Sequence, residues 1–190
     1  MEASMAETEE TPRSERAARF VAFAVLGALT VTQELAGRAL AGMEGADPEL
    51  TAEETLCLVA TATARAAEVG LRDKPEAQVV AATLLELPFV YRDYLAGGAM
   101  LTEKDAALLD ADDLVRERLR RKLAFYTTHL PPGRFPGEYA LTDKMGLWMG
   151  RISPPRLPET PAARLARLEL IPALLTHLRL VLAFARRDEP

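Results

Sequence analysis

Thr11-Pro12 opens a helical pattern that runs to about Met43, and its polar line is thin: Arg16, Arg19, Thr30, Glu34 and Arg38. Most of the remaining circumference is apolar or small. A helix with so little polar surface belongs at the centre of a bundle or against a partner chain. Small residues at Ala24, Gly27, Ala28 and Ala36 allow neighbouring helices to approach closely. A second stretch, from about Pro161 to Arg186, makes the same demand. Leu168, Ile171, Leu175, Leu178 and Leu182 form one stripe and Leu170, Leu174, Val181 and Phe184 another, so this helix needs cover on two sides. Two such helices, first and last, predict a multi-helix bundle around one core.

Composition points the same way. Ile occurs only at Ile152 and Ile171, aromatic residues make up 6% of the chain, and 49% is hydrophobic. The core must therefore be built from Leu, Val and Ala, and the scarcity of β-branched residues favours helix over strand. A length of 190 residues suits one domain. Asn is absent and Arg outnumbers Lys, a bias that indicates no reaction.

The intervening segments read as follows. Thr51 and Glu54 have capping-box spacing and open a helix that ends near Val69, with Gly70 just beyond it and a stripe of Leu56, Val59, Ala60, Thr63 and Ala67. A third helix opens at Asp73 and Pro75, ends before Gly97-Gly98, and places Val80, Leu84, Leu87, Tyr91 and Leu95 on one face. Pro88 inside it predicts a kink that leaves the Leu84 carbonyl unpaired. A short helix is expected after Thr102, then a longer one capped by Asp110 and stopped by Pro131–Gly133, with Val115, Leu119, Leu123, Tyr126 and Leu130 buried. Residues 134–160 read as a lid and linker: a Pro/Gly-rich loop, a short helix capped by Thr142, and an extended run through Pro154, Pro155 and Pro158. The expected fold is an all-α, single-domain bundle over residues 11–190. It has about five long helices and one or two short ones, with residues 1–10 disordered or frayed.

The formal charge of −5 argues against nucleic acid as a partner. It is unevenly spread. Residues 1–100 hold 8 basic and 16 acidic side chains, a net of −8, and residues 101–190 hold 15 and 12, a net of +3. Such a chain can draw its own halves together or attract a second copy. Arg13, Arg16 and Arg19 ahead of "FVAFAVLGALTV" loosely resemble a signal peptide. The acidic first ten residues oppose that reading, and the run is shorter than the roughly 20 residues that span a bilayer. A buried helix, a cytoplasmic protein and no membrane span are expected.

Little in the sequence supports catalysis. Only His129 and His177 are available to a metal beside carboxylates, there is no H-E-x-x-H, and Glu34, Glu86 and Asp93 read as solvated faces. The lone Cys57 sits among Leu56, Leu58 and Val59 as a small core residue would. No G-x-S-x-G or phosphate-binding glycine loop occurs. No cofactor, metal site or catalytic residue is therefore expected. The candidates for contact with a ligand or partner are Tyr91, Arg92 and Tyr94 at the end of the third helix; Phe135, Tyr139, Met145 and Trp148 in the lid; and His177, on an apolar face with Leu174 and Val181. The leading expectation is a non-enzymatic interaction or assembly protein, homo-oligomeric or bound to a protein partner. The alternative is a protein that binds a small apolar or amphipathic ligand between helices kinked at Pro88 and Pro172.

Overall fold

A computed structural model describes the backbone of residues 3–97, 106–153 and 161–186, and the side chains of 15–93, 113–153 and 169–186. Seven helices occur among them: α1 (Ala3–Gly42), α2 (Pro48–Gly70), α3 (Ala77–Leu85), α4 (Leu87–Gly97), α5 (Ala106–His129), α6 (Glu138–Ile152) and α7 (Pro161–Arg186). The described residues contain no strand. The chain is an all-α bundle.

The most enclosed helix is α2, not the first or the last. Every residue from Glu54 to Ala67 is buried, around the whole circumference. The physical reason is size. Ala60, Ala62, Ala64, Ala66 and Ala67 let neighbours close in on all sides, and Thr55 and Thr61 donate their hydroxyls to carbonyls of α2 itself. Around it, α1 contributes the line Phe20, Ala24, Ala28, Val31, Leu35 and Ala39, while α7 contributes Leu170, Leu174, Leu178 and Val181. Contacts fix the directions. Thr63 meets His177 and Gly70 meets Ala185, so α7 runs parallel to α2. Met43, just ahead of α2, meets Ser153 and Thr55 within it meets Trp148, so α6 runs antiparallel to it. Phe23 stacks on Phe184 at 4.6 Å while Gly27 faces His177, which makes α1 and α7 antiparallel.

Several helix ends differ from the sequence expectation. The first helix already begins at Ala3, so Thr11 lies inside it and residues 3–10 are helical. Asp47, not Thr51, caps α2: its carboxylate accepts the Leu50 amide at 3.0 Å, and Pro48 follows at the first helical position. The expected kink at Pro88 is a full break between α3 and α4. The Glu86 carbonyl accepts from both Phe89 and Val90, and the Glu86 amide donates to the Ala82 carbonyl at 3.1 Å. Asp110 lies within the single helix α5, which begins at Ala106 rather than at Asp110.

The largest revision concerns residues 134–160. Most of that segment is α6, a 15-residue helix that opens at Gly137 rather than at Thr142. Leu141, Met145, Trp148 and Ile152 are core residues on its inner face. Thr142 instead donates to the Glu138 carbonyl. Residues 154–160, expected as an extended linker, lie outside the described residues. Pro172 sits inside α7 without ending it. By length and composition α1 is also apolar enough, over Glu15–Gly42, to cross a membrane, which revises the expectation of too short a run; its line of Phe20, Ala24, Ala28 and Leu35 is built into the core.

Close helix approach depends on Gly27 and Gly70. A Cβ at Gly27 would lie 2.6 Å from the His177 ring, and one at Gly70 would lie 2.5 Å from the Ala185 Cβ. Gly70→Ala is expected to destabilise the fold by about 1–3 kcal/mol through overpacking, against the roughly 1 kcal/mol that Ala gains in helix propensity. Ala185→Gly in the same chain should restore part of the loss. A double-mutant cycle in urea checks the coupling.

Candidate functional site

Four helices leave an open cavity of about 450 Å³ between them. Each contributes one face at helical spacing. Thr32, Gln33 and Ala36 come from α1; Glu49, Ala52, Glu53 and Leu56 from α2; Pro88, Tyr91 and Arg92 from α4; and Val115 and Leu119 from α5. Two causes are visible. Ala36 and Ala52 are too small to fill the space between α1 and α2, and the break at Glu86 starts a new helix there, with Pro88 in its first turn. The size falls within the usual range of small-molecule pockets, about 300–1,000 Å³. The walls are mostly apolar with a few polar groups, the composition such pockets share.

An ionic cluster fixes the α2–α5–α6 side of this cavity. Glu54 is only 1% exposed and carries several partners. Arg151 holds it in a two-pronged grip, Nε to Oε2 and Nη2 to Oε1, both at 2.7 Å. Tyr126 donates its hydroxyl to Oε2 at 2.8 Å. Lys122 bonds Glu53 at 2.5 Å and lies 3.7 Å from Glu54, while Arg118 reaches both Glu49 and Glu53. Arg151 also lies over the Phe125 ring, 4.4 Å from its centroid. Burial, then the Glu54 carboxylate, pushes the Tyr126 phenol up, so it stays a proton donor. The same two causes push the Cys57 thiol up. A thiol held protonated and away from solvent is no nucleophile.

No family model, curated protein or solved structure matches this chain. The site is therefore read from its own geometry.

Of the residues singled out from the sequence, Tyr91 and Arg92 line the cavity. The side chain of Tyr94 lies outside the described residues. Met145 and Trp148 are fully buried on α6, and the Trp148 indole N–H donates to the Thr55 hydroxyl at 3.2 Å. Phe135 packs partly buried against the core, while Tyr139 is 95% exposed. His177 is buried with Nε2 3.0 Å from the Thr63 hydroxyl. The structure thus brings Tyr91 and Arg92 together and keeps Trp148 and His177 as core residues. Glu34 pairs with Arg38, and Asp93 takes Arg116 at 2.7 Å. Among the described residues, no three His, Cys, Asp or Glu side chains converge as a metal site requires. Sequence reasoning missed Thr32, Gln33, Ala52, Glu53 and Leu119, which belong to ordinary helix faces until four helices are packed together.

The two buried polar clusters give distinct expectations. Glu54→Ala removes the shared partner of Arg151 and the buried Tyr126 hydroxyl, and should cost about 3–5 kcal/mol in chemical denaturation. His177 behaves differently. Burial pulls its pKa from 6.5 down to about 4. Between those values the unfolded chain binds a proton that the folded chain refuses, so stability is full above about 6.5 and falls as the pH drops toward 4. The gap in unfolding free energy between wild type and His177→Gln should therefore narrow by about 2–3 kcal/mol between pH 7.5 and pH 4.5.

Proposed function

We propose that this chain is a helical binding protein that takes a small, largely apolar or amphipathic molecule between α1, α2, α4 and α5. The observation that carries the reading is the 450 Å³ cavity, with Leu56, Val115, Leu119 and Pro88 as apolar walls and Tyr91 and Arg92 beside them. The described residues that line it supply no paired acid and base or activated nucleophile, which favours binding over turnover.

A second reading, assembly with another copy of this chain, is favoured by Leu26 on α1, 67% exposed, and by Leu180 on α7, which is also exposed. Light scattering of the full chain and of Leu26→Glu tests it: a dimer that the substitution dissociates supports it, and a monomer at high concentration removes it.

The binding reading predicts saturable fluorescence enhancement when diphenylhexatriene, an apolar probe without polar atoms, is titrated into the protein. Ala52 is exposed at the cavity wall, so Ala52→Trp should leave the fold intact by circular dichroism and abolish saturation. Equal binding by both proteins would exclude this cavity as the site.

A further inference from the structure

Among the described residues, the outer face of α1 is covered by no other helix. Leu26 is 67% exposed, and Ala22, Thr30 and Gly37, all within about 40° of it around the helix, are exposed too. Of the most apolar stretch of α1, only 39% is buried. Leu180 is exposed on α7 between His177 and Phe184, the two residues that touch α1. Gly37 has open space where a Cβ would stand. Its own chain therefore gives no packing reason for a glycine that costs a helix about 1 kcal/mol relative to alanine.

The charges on this helix are self-complementary. Glu15 bonds Arg19 at 2.5 Å and Glu34 bonds Arg38 at 2.6 Å, each an acid one turn ahead of a base, and all four side chains are exposed. Arg38 also lies 3.9 Å from Glu169 of α7. The two pairs stand at equal distances on either side of the Leu26–Gly27 peptide. Two copies of α1 crossing antiparallel about a twofold axis at that peptide bring Arg19 level with Glu34, and Glu15 level with Arg38, twice each. A parallel pair in register would set like charges against like. Arg19 lies about 20° from Leu26 around the helix and Glu34 about 80°, toward α7, so a side chain as long as arginine's can span from the centre of the contact to its edge. A twofold contact repeats every pairing and closes at two copies. Opposite charges then fix direction and register, while the apolar centre excludes water.

We infer that a second copy of this chain packs on the outer face of α1, with the two α1 helices antiparallel about Leu26–Gly27 and Arg19 of each copy paired with Glu34 of the other. This rests on the assembly reading above and specifies its geometry.

The test measures dimer dissociation of the full chain by sedimentation equilibrium for wild type, Arg19→Glu, Glu34→Arg and the double variant, with folding checked by circular dichroism. Wild type should form dimers and nothing larger. Each single reversal sets like charges together twice and should weaken the dimer about five- to thirty-fold. The double variant should return to within about three-fold of wild type. Inside one chain it keeps acid beside acid and base beside base, so recovery can come only from pairing between copies. A double variant weakened as much as the two single ones combined, or assembly that grows beyond two copies, would overturn this geometry. If Leu26→Glu still dissociated the assembly, the assembly reading would stand without it. A wild-type monomer at high concentration, including one that floats with phosphatidylcholine–phosphatidylglycerol vesicles, would remove both.

Discussion

A helix surrounded by protein on every side cannot use water to satisfy its polar side chains, and α2 is such a helix. Apart from the Thr51 hydroxyl, which has no partner, the polar side chains it carries into the interior bond to a neighbour or to its own backbone. Thr55 and Thr61 turn back to carbonyls of α2 itself. Thr63 meets His177 of α7, and Glu54 gathers Tyr126 from α5 and Arg151 from α6. Arg65 donates to the Leu130 carbonyl at 2.8 Å and pairs with Glu68, whose other oxygen accepts the Gly133 amide at 3.0 Å. Apolar burial supplies most of the driving force but is indifferent to small slides of one helix along another. These bonds are directional, so they set the register at which α5, α6 and α7 lie along the central helix.

The uneven charge along the sequence has a structural counterpart. The acidic Glu49, Glu53 and Glu54 of α2 meet the basic Arg118 and Lys122 of α5 and Arg151 of α6. Arg116 of α5 meets Asp93 of α4 in the same sense. The two halves therefore neutralise one another across the cavity wall. Exposed pairs of this kind contribute little each, but Glu54 and Lys122 are buried, so loss of Arg151 or Glu53, the ion to which each is hydrogen bonded, costs more.

Local periodicity made much of the fold legible. The α2 stripe and both stripes of α7 follow from spacing alone, because a 3.6-residue repeat of apolar side chains is a property of neighbouring positions. Errors arose where two local signals competed. Thr51 and Glu54 have capping spacing, yet Asp47-Pro48 is the stronger start and leaves Glu54 free for Arg151. Ahead of α6, Gly133, Pro136 and Gly137 suggested a loop that ran as far as Thr142, while Leu141, Met145 and Trp148 already lay at helical spacing. Burial of that face extends the helix back to Glu138. The cavity was the least legible part. Pro88, Tyr91 and Arg92 stood out locally, but a gap beside Thr32 depends on how four helices stack, and no short window contains that information.

The parallel seam between α2 and α7 joins segments far apart in the chain, as Thr63 with His177 and Gly70 with Ala185 illustrate. During synthesis the central helix therefore emerges long before the helix that closes its last side. Until then the ribosome-borne chain displays an uncovered face of Val59, Ala66 and their neighbours, with Thr63 still lacking its imidazole. Native closure is thus a late event of high contact order, and the nascent chain is most vulnerable to self-association just before α7 arrives.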